Sequence, residues 1–160
     1  MSLTVGIDPG ITGAIAVLDS GGDIVEIHDM PTVELKRGKT SKRHIDPYEF
    51  SLLSESYCGA ATFYVEQVSA MPGQGITSVF SFGRSFGCIE GVLGALEVPY
   101  SFVTPQQWTR DLKVPQGKDG HRDLCRRTWP QHADLWKRVK DDGRADAALI
   151  ARWGWLRGAR

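Results

Sequence analysis

The short apolar run Thr4–Ile7 stops at Asp8-Pro9-Gly10, and this break constrains the fold more than any other stretch. Proline removes a ladder donor and glycine allows a sharp turn, so a strand ends at Asp8. Apolar sequence resumes at Ala14–Leu18, the turn cluster Ser20-Gly21-Gly22-Asp23 follows, and Ile24–Ile27 is a third β-rich stretch. Three short runs joined by tight glycine turns predict an antiparallel meander.

Further elements follow in order. Met30–His44 is polar and basic without periodicity, which reads as a loop or poorly ordered arm. Asp46 and Pro47 then open a helix whose Phe50, Leu53 and Tyr57 share a face. Ala61–Val65 is a fourth strand ending in Glu66, and Ser69–Gly75 is a flexible loop. From Ile76 to Leu96 the apolar spacing of Val79, Phe82, Phe86, Ile89 and Leu93 is helical. Pro99–Val103 is a fifth strand. Three helices follow: Thr104 caps one ending at Leu112, Lys118–Trp129 is the second, and Arg144–Leu156 the third. The order predicts one α/β domain over 1–160, a mixed five-stranded sheet flanked by helices, with a basic loop at about 31–44.

At 160 residues the chain suits a single domain that hides roughly 70% of its unfolded surface. No run of 18 apolar residues occurs and no charged-then-apolar leader opens the chain, so the expectation is a soluble, unexported protein with no membrane contact. Cys58, Cys88 and Cys125 are odd in number and lack a CxxC pair, which suits free thiols of a reducing cytoplasm. The 19 basic and 19 acidic residues cancel, but unevenly. Residues 1–104 carry 6 basic and 12 acidic side chains, and residues 105–160 carry 13 and 7. Such asymmetry points to a polyanionic partner met by one face.

Carboxylates are informative where the pattern predicts apolar packing. Asp8 ends the first strand, Glu66 ends the fourth, and Asp146 lies in the small-residue segment Arg144–Ala151. Alternation puts Asp8 on the face of Gly6 and Glu66 on the face of Tyr64. If the first and fourth strands are neighbours, both acids emerge at one end of the sheet, where a helix carrying Asp146 completes a cluster. Clustered acids repel unless a cation sits among them, and an all-oxygen set suits Mg²⁺ or Mn²⁺. Two such ions would activate water and stabilise the leaving oxygen of a phosphodiester. Each acid alone also has an ordinary reading: Asp8 as a turn residue, Glu66 as a surface acid, Asp146 as a partner of Arg144 or Arg152.

Gly6-Ile7-Asp8-Pro9-Gly10-Ile11-Thr12-Gly13, Tyr64-Val65-Glu66 and Ala145-Asp146-Ala147, in that order, resemble the RuvC-like Holliday junction resolvases, in particular their bacteriophage forms. Thr104-Pro105-Gln106-Gln107-Trp108 and Gln116-Gly117-Lys118-Asp119 extend the resemblance nearly end to end. It implies a ribonuclease H-like fold and a homodimer whose two sites nick a four-way DNA junction symmetrically, leaving 5′-phosphates and 3′-hydroxyls. On this reading Asp8, Glu66 and Asp146 are the catalytic metal ligands.

This sequence departs from the family pattern in two places. Many relatives carry an acid or His three residues before the last Asp, where Gly143 stands. Asp142, four residues before Asp146, shares its helical face and is either a fourth ligand or the helix cap. Relatives also often place lysines where Thr109 and Gly120 stand, so Arg110, Lys118 and Arg122 are candidates to replace that charge, with Lys113 nearby. Lys36, Arg37, Lys39, Lys42 and Arg43 form a candidate DNA-backbone clamp. His44 is grouped with that arm, and the other histidines, His28, His121 and His132, are read as surface residues.

Met71-Pro72-Gly73-Gln74-Gly75 is either a wedge at the junction branch point or a plain turn. Gly83, Gly87, Gly91 and Ala95 make a small-residue stripe that contacts either the chain's own sheet or a second subunit. The resemblance favours a homodimer through this Ile76–Leu96 helix. The leading expectation is a Mg²⁺-dependent crossover junction endonuclease of a bacterial or phage-infected cytoplasm. The alternatives are a related nuclease acting on RNA, forks or flaps, and a non-catalytic junction-binding module.

Overall fold

The structure, a computed structural model, describes residues 2–70 and 72–158. The predicted meander forms β1 (Leu3–Ile7), β2 (Ala14–Leu18) and β3 (Ile24–Asp29). Two further parallel strands, β6 (Ala61–Glu66) and β7 (Tyr100–Val103), complete a five-stranded sheet ordered β3-β2-β1-β6-β7. β1 runs antiparallel to β2 and parallel to β6, so the first and fourth predicted strands are neighbours.

Alternation along these strands divides the core. Val5, Ile7, Ile15, Val17, Phe63 and Val65 face one side, against α1 (Pro47–Glu55) and α2 (Ile76–Ala95). Asp46 caps α1 by accepting from the Tyr48 and Glu49 amides, a contribution of about 1 kcal/mol. Ala14, Ala16 and Leu18 face the other side, with α3 (Pro105–Asp111), α4 (Gly120–Thr128) and α5 (Asp142–Gly158). Leu149 and Ile150 are fully buried in this second layer, each contributing roughly 1.5–3 kcal/mol. Two 3-10 segments, Pro130–Trp136 and Val139–Asp141, connect α4 to α5 and were not foreseen.

Gly6 sets how closely α5 lies on the sheet. A Cβ there would fall 2.2 Å from the Ala147 carbonyl oxygen and 2.3 Å from the Ala151 nitrogen. The missing side chain and the small residues Ala147, Ala148 and Ala151 let two backbones touch, which brings the start of α5 over the end of β1.

The predicted loop at 31–44 is instead a β-hairpin of β4 (Thr32–Arg37) and β5 (Thr40–Ile45), paired from Thr32↔Ile45 to Arg37↔Thr40. Gly38 turns it at φ +63, a conformation that favours glycine. Lys36, Lys39, Lys42 and Arg43 are all exposed, so no alternation marks the strands; only the root is anchored, by buried Met30 and Ile45. Met71 lies outside the described residues, and Gly73 adopts φ +87 as a turn glycine does.

Candidate functional site

Asp8 and Glu66 emerge together because Ile7 and Val65 are in register on the parallel pair β1–β6. The loop after β1 folds back on Asp8. The Gly10 amide donates to Asp8 Oδ1 at 3.3 Å, and Gly13 packs so closely that a Cβ would fall 2.1 Å from the Asp8 carbonyl oxygen. Asp146, on the first turns of α5, faces the same place. Burial, then the charges of Asp146 and Glu66, push the Asp8 carboxyl up to about 7. Burial also raises Glu66, opposed by a hydrogen bond from Trp108 and reinforced by Asp146.

The three acids are therefore electrostatically coupled, as the strand order predicts. Among the described residues, no three His, Cys, Asp or Glu side chains already surround one ion position. The chemistry of the donor set nonetheless suits a hard divalent cation: the oxygens belong to carboxylates whose mutual repulsion a cation would relieve.

Gly143 has a steric reason. A Cβ there would fall 2.4 Å from the Thr12 carbonyl oxygen, 2.9 Å from Gly13 Cα and 3.2 Å from Asp8 Oδ2. No side chain fits, so no ligand can come from that position. α5 begins at Asp142, whose backbone is already helical (φ −55, ψ −45), and its Oδ1 accepts from Arg122 Nε at 2.7 Å. Arg122 is 4% exposed and also pairs with Asp119. A DNA-facing role for Arg122 is thus corrected: the guanidinium is buried and occupied by two carboxylates.

His121 is corrected as well, because it lies in the site and not on the open surface. Its Nδ1 lies 2.5 Å from Asp146 Oδ1, and its ring meets Trp108 edge-on with centroids 5.2 Å apart. Trp108, 1% exposed, donates its indole N–H to Glu66 Oε1 at 2.9 Å. Trp108 belongs to one of the late segments that carry the resemblance, but its partner was not legible. No spacing rule relates His121 to an acid 25 positions away.

The basic candidates divide by location. Arg110 pairs with Asp111, which also accepts from Trp153 and Arg157. Those residues lie two to three helical turns beyond Asp146, so Arg110 sits roughly 10–16 Å along α5 from the carboxylates. Lys113 and Lys118 are exposed, and Lys118 shortly precedes the helix that carries His121. Lys42, Arg43 and His44 line a cleft of about 530 Å³ with Ile11 and the first turns of α2. Lys36, Phe80 and Arg84 border an adjoining cleft of about 810 Å³; Lys39 lies at the hairpin tip, and the Arg37 side chain is outside what the structure describes. Arg43 and Ile11 also line a third cleft, about 500 Å³, beside Asp142 and Gly143. Arg138 and Lys140, which the sequence reading passed over, contribute there. The first two clefts are lined by hairpin cations, whereas the third mixes Arg43, Arg138 and Lys140 with Asp29, Asp141 and Asp142, and Arg138 is paired there with Asp141.

Among the described residues, a Cβ on Gly83, Gly87 or Gly91 would meet nothing within 4 Å. The stripe therefore does not contact the chain's own sheet, which removes one of its two readings. Ile76 and Phe80 on the same helix are 89% and 73% exposed.

No family model matches the chain. Over 92 residues, 56% of the chain, it is 32% identical to the chloroplastic Holliday junction resolvase MOC1 of Chlamydomonas reinhardtii. That match spans 10% of the MOC1 length. The fold is similar to that of Thermus thermophilus RuvC, with TM-score 0.56 at 15% identity over 98% of this chain and 95% of that one. It is also similar to T. thermophilus RuvC in complex with Holliday junction substrate, with TM-score 0.63 at 16% identity over 99% and 96% of the two chains. The fold is therefore ribonuclease H-like, and the chain resembles the RuvC-like resolvases in sequence and architecture.

Proposed function

We propose that the protein is a divalent-metal-dependent endonuclease that resolves four-way DNA junctions, with Asp8, Glu66 and Asp146 as its metal-binding catalytic residues. The observation that carries this reading is the convergence of three carboxylates from β1, β6 and α5, where burial first and the charges of Asp146 and Glu66 second push Asp8 up to about 7. The resemblance to MOC1 and RuvC supplies the substrate class. When bound, Mg²⁺ or Mn²⁺ would neutralise the acids, lower the pKa of an attacking water and stabilise the leaving oxygen.

The chain's own residues do the rest. Gly10 orients the Asp8 carboxylate through its amide, and Trp108 and His121 hold Glu66 and Asp146. The hairpin lysines with Arg43 and Lys140 bind phosphates leading to the scissile bond, and the exposed Lys113 and Lys118 bind phosphates beside α4. Asp142 is bound to Arg122 and acts as a structural acid in place of a fourth ligand. The open glycine face of α2, flanked by exposed Ile76 and Phe80, is the surface through which two copies pair.

The test compares wild type and Asp8→Asn on a synthetic four-way junction, a replication fork and an RNA duplex. Wild type cuts the junction in Mg²⁺ and not in chelator, while the variant binds the junction and does not cut. Full cleavage by Asp8→Asn removes the metal-site assignment. Preference for fork or RNA replaces the substrate, and Mg²⁺-independent binding without nicking leaves a junction-binding module.

A further inference from the structure

Each of two carboxylates in the cluster is gripped from outside by a ring nitrogen, and the two rings touch. Trp108 of α3 donates to Glu66 Oε1 at 2.9 Å, and His121 of α4 meets Asp146 Oδ1 at 2.5 Å. The indole and imidazole pack edge-on at 69°. Each contact engages one oxygen of its carboxylate. The next residue, Arg122, holds Asp142, so the first turn of α4 restrains both acids at the start of α5. A side chain at position 143 cannot contribute, because the Thr12 carbonyl fills the space where it would stand.

We propose that His121, braced by Trp108, is the positioning residue that fixes Asp146 in its metal-binding orientation, by donating a hydrogen bond from Nδ1. This rests on the reading of Asp8, Glu66 and Asp146 as a divalent-cation site. Outer groups that orient a ligating carboxylate typically change metal affinity or activity about 10–100-fold when removed.

The test uses His121→Ala, His121→Asn, His121→Gln and Trp108→Phe. Asparagine places an N–H where Nδ1 stands, whereas glutamine places its amide nearer the position of Nε2. Mn²⁺ binding is read by calorimetry on the DNA-free protein, and junction cleavage is followed across a Mg²⁺ titration. His121→Ala is expected to weaken Mn²⁺ binding at least tenfold and raise the half-saturating Mg²⁺ to match. Cleavage at saturating Mg²⁺ returns to within a few-fold of wild type, and junction binding in chelator is unchanged. His121→Asn restores metal affinity to within about threefold, and His121→Gln does not. Trp108→Phe keeps the buried ring, loses the N–H to Glu66, and weakens Mn²⁺ binding in the same direction.

Unchanged Mn²⁺ affinity in His121→Ala overturns the proposal, whether or not saturated cleavage falls. So does an asparagine variant no better than alanine, or a wild type that binds no Mn²⁺. If wild type cuts no junction while the Mn²⁺ series behaves as described, the substrate reading fails and the positioning role stands.

Discussion

Replacing Asp8 with asparagine should stabilise the metal-free protein at neutral pH, by an amount that follows from the carboxylate's surroundings. Its pKa stands at about 7 in the folded chain against 3.8 as its ordinary value, a span of roughly three pH units. At about 1.4 kcal/mol per unit this corresponds to ~4 kcal/mol. Below about pH 4 both states carry the proton and the ionisation contributes nothing. Between about pH 4 and 7 the unfolded chain releases the proton while the folded chain keeps it, so stability falls as pH rises. Above about 7 both states are ionised and the full penalty remains. The substituted asparagine is neutral throughout, and its amide oxygen can still accept from Gly10.

Urea unfolding of both proteins in chelator, at half-unit steps from about pH 4.5 to 8.5, gives the difference directly. The stability of Asp8→Asn relative to wild type should climb by roughly 1.4 kcal/mol per unit and level off near pH 7. Added Mg²⁺ at pH 8 should stabilise wild type by mass action and leave the variant unchanged. Parallel pH profiles for the two proteins would refute the raised Asp8 pKa and the burial and neighbouring charge that account for it.

Lys42→Ala with Arg43→Ala should lower the slope of log affinity against log salt by about 2, at roughly 0.9 per lost phosphate contact. Cleavage of the saturated complex should be unchanged; an unaltered slope would place the hairpin off the DNA. Arg122→Met should cost about 2–3 kcal/mol in denaturant unfolding, below the roughly 3–5 of a fully buried pair because the Asp142 side chain is 48% exposed. Junction affinity at fixed salt should not move, and a loss of affinity in a stably folded variant would restore Arg122 to the DNA surface. Gly143→Ala forces its Cβ against the Thr12 carbonyl and should cost about 1–3 kcal/mol in thermal or urea unfolding, with wild-type stability as the contrary result. Gly87→Leu meets open space, so the fold should persist while sedimentation shows a monomer; a dimer of wild-type affinity would move the interface elsewhere.

Where backbone chemistry is strong and local, the fold was legible. Asp8-Pro9-Gly10 ends β1, Asp46-Pro47 starts α1, and the apolar repeat ending at Ile89 and Leu93 gives α2 its buried face. The proximity of Asp8, Glu66 and Asp146 was legible because charged residues stood where packing was expected, and the parallel pairing of β1 with β6 brings the first two together. The hairpin was missed because it is solvated along nearly its whole length and so lacks the alternation that marks a half-buried strand. Arg122 and His121 were misassigned for a related reason. Whether a polar side chain on α4 faces water or an acid depends on how α4 docks against α5, a contact between separate elements that sequence spacing does not encode.

The central claim is tested most directly by mapping nicks on all four strands of a mobile four-way junction, with Mg²⁺ and with chelator. Paired nicks at symmetry-related positions on two opposed strands, present only with the metal, are the predicted result. Unpaired nicks, cleavage that persists in chelator, or an intact junction bound by folded wild-type protein would contradict it.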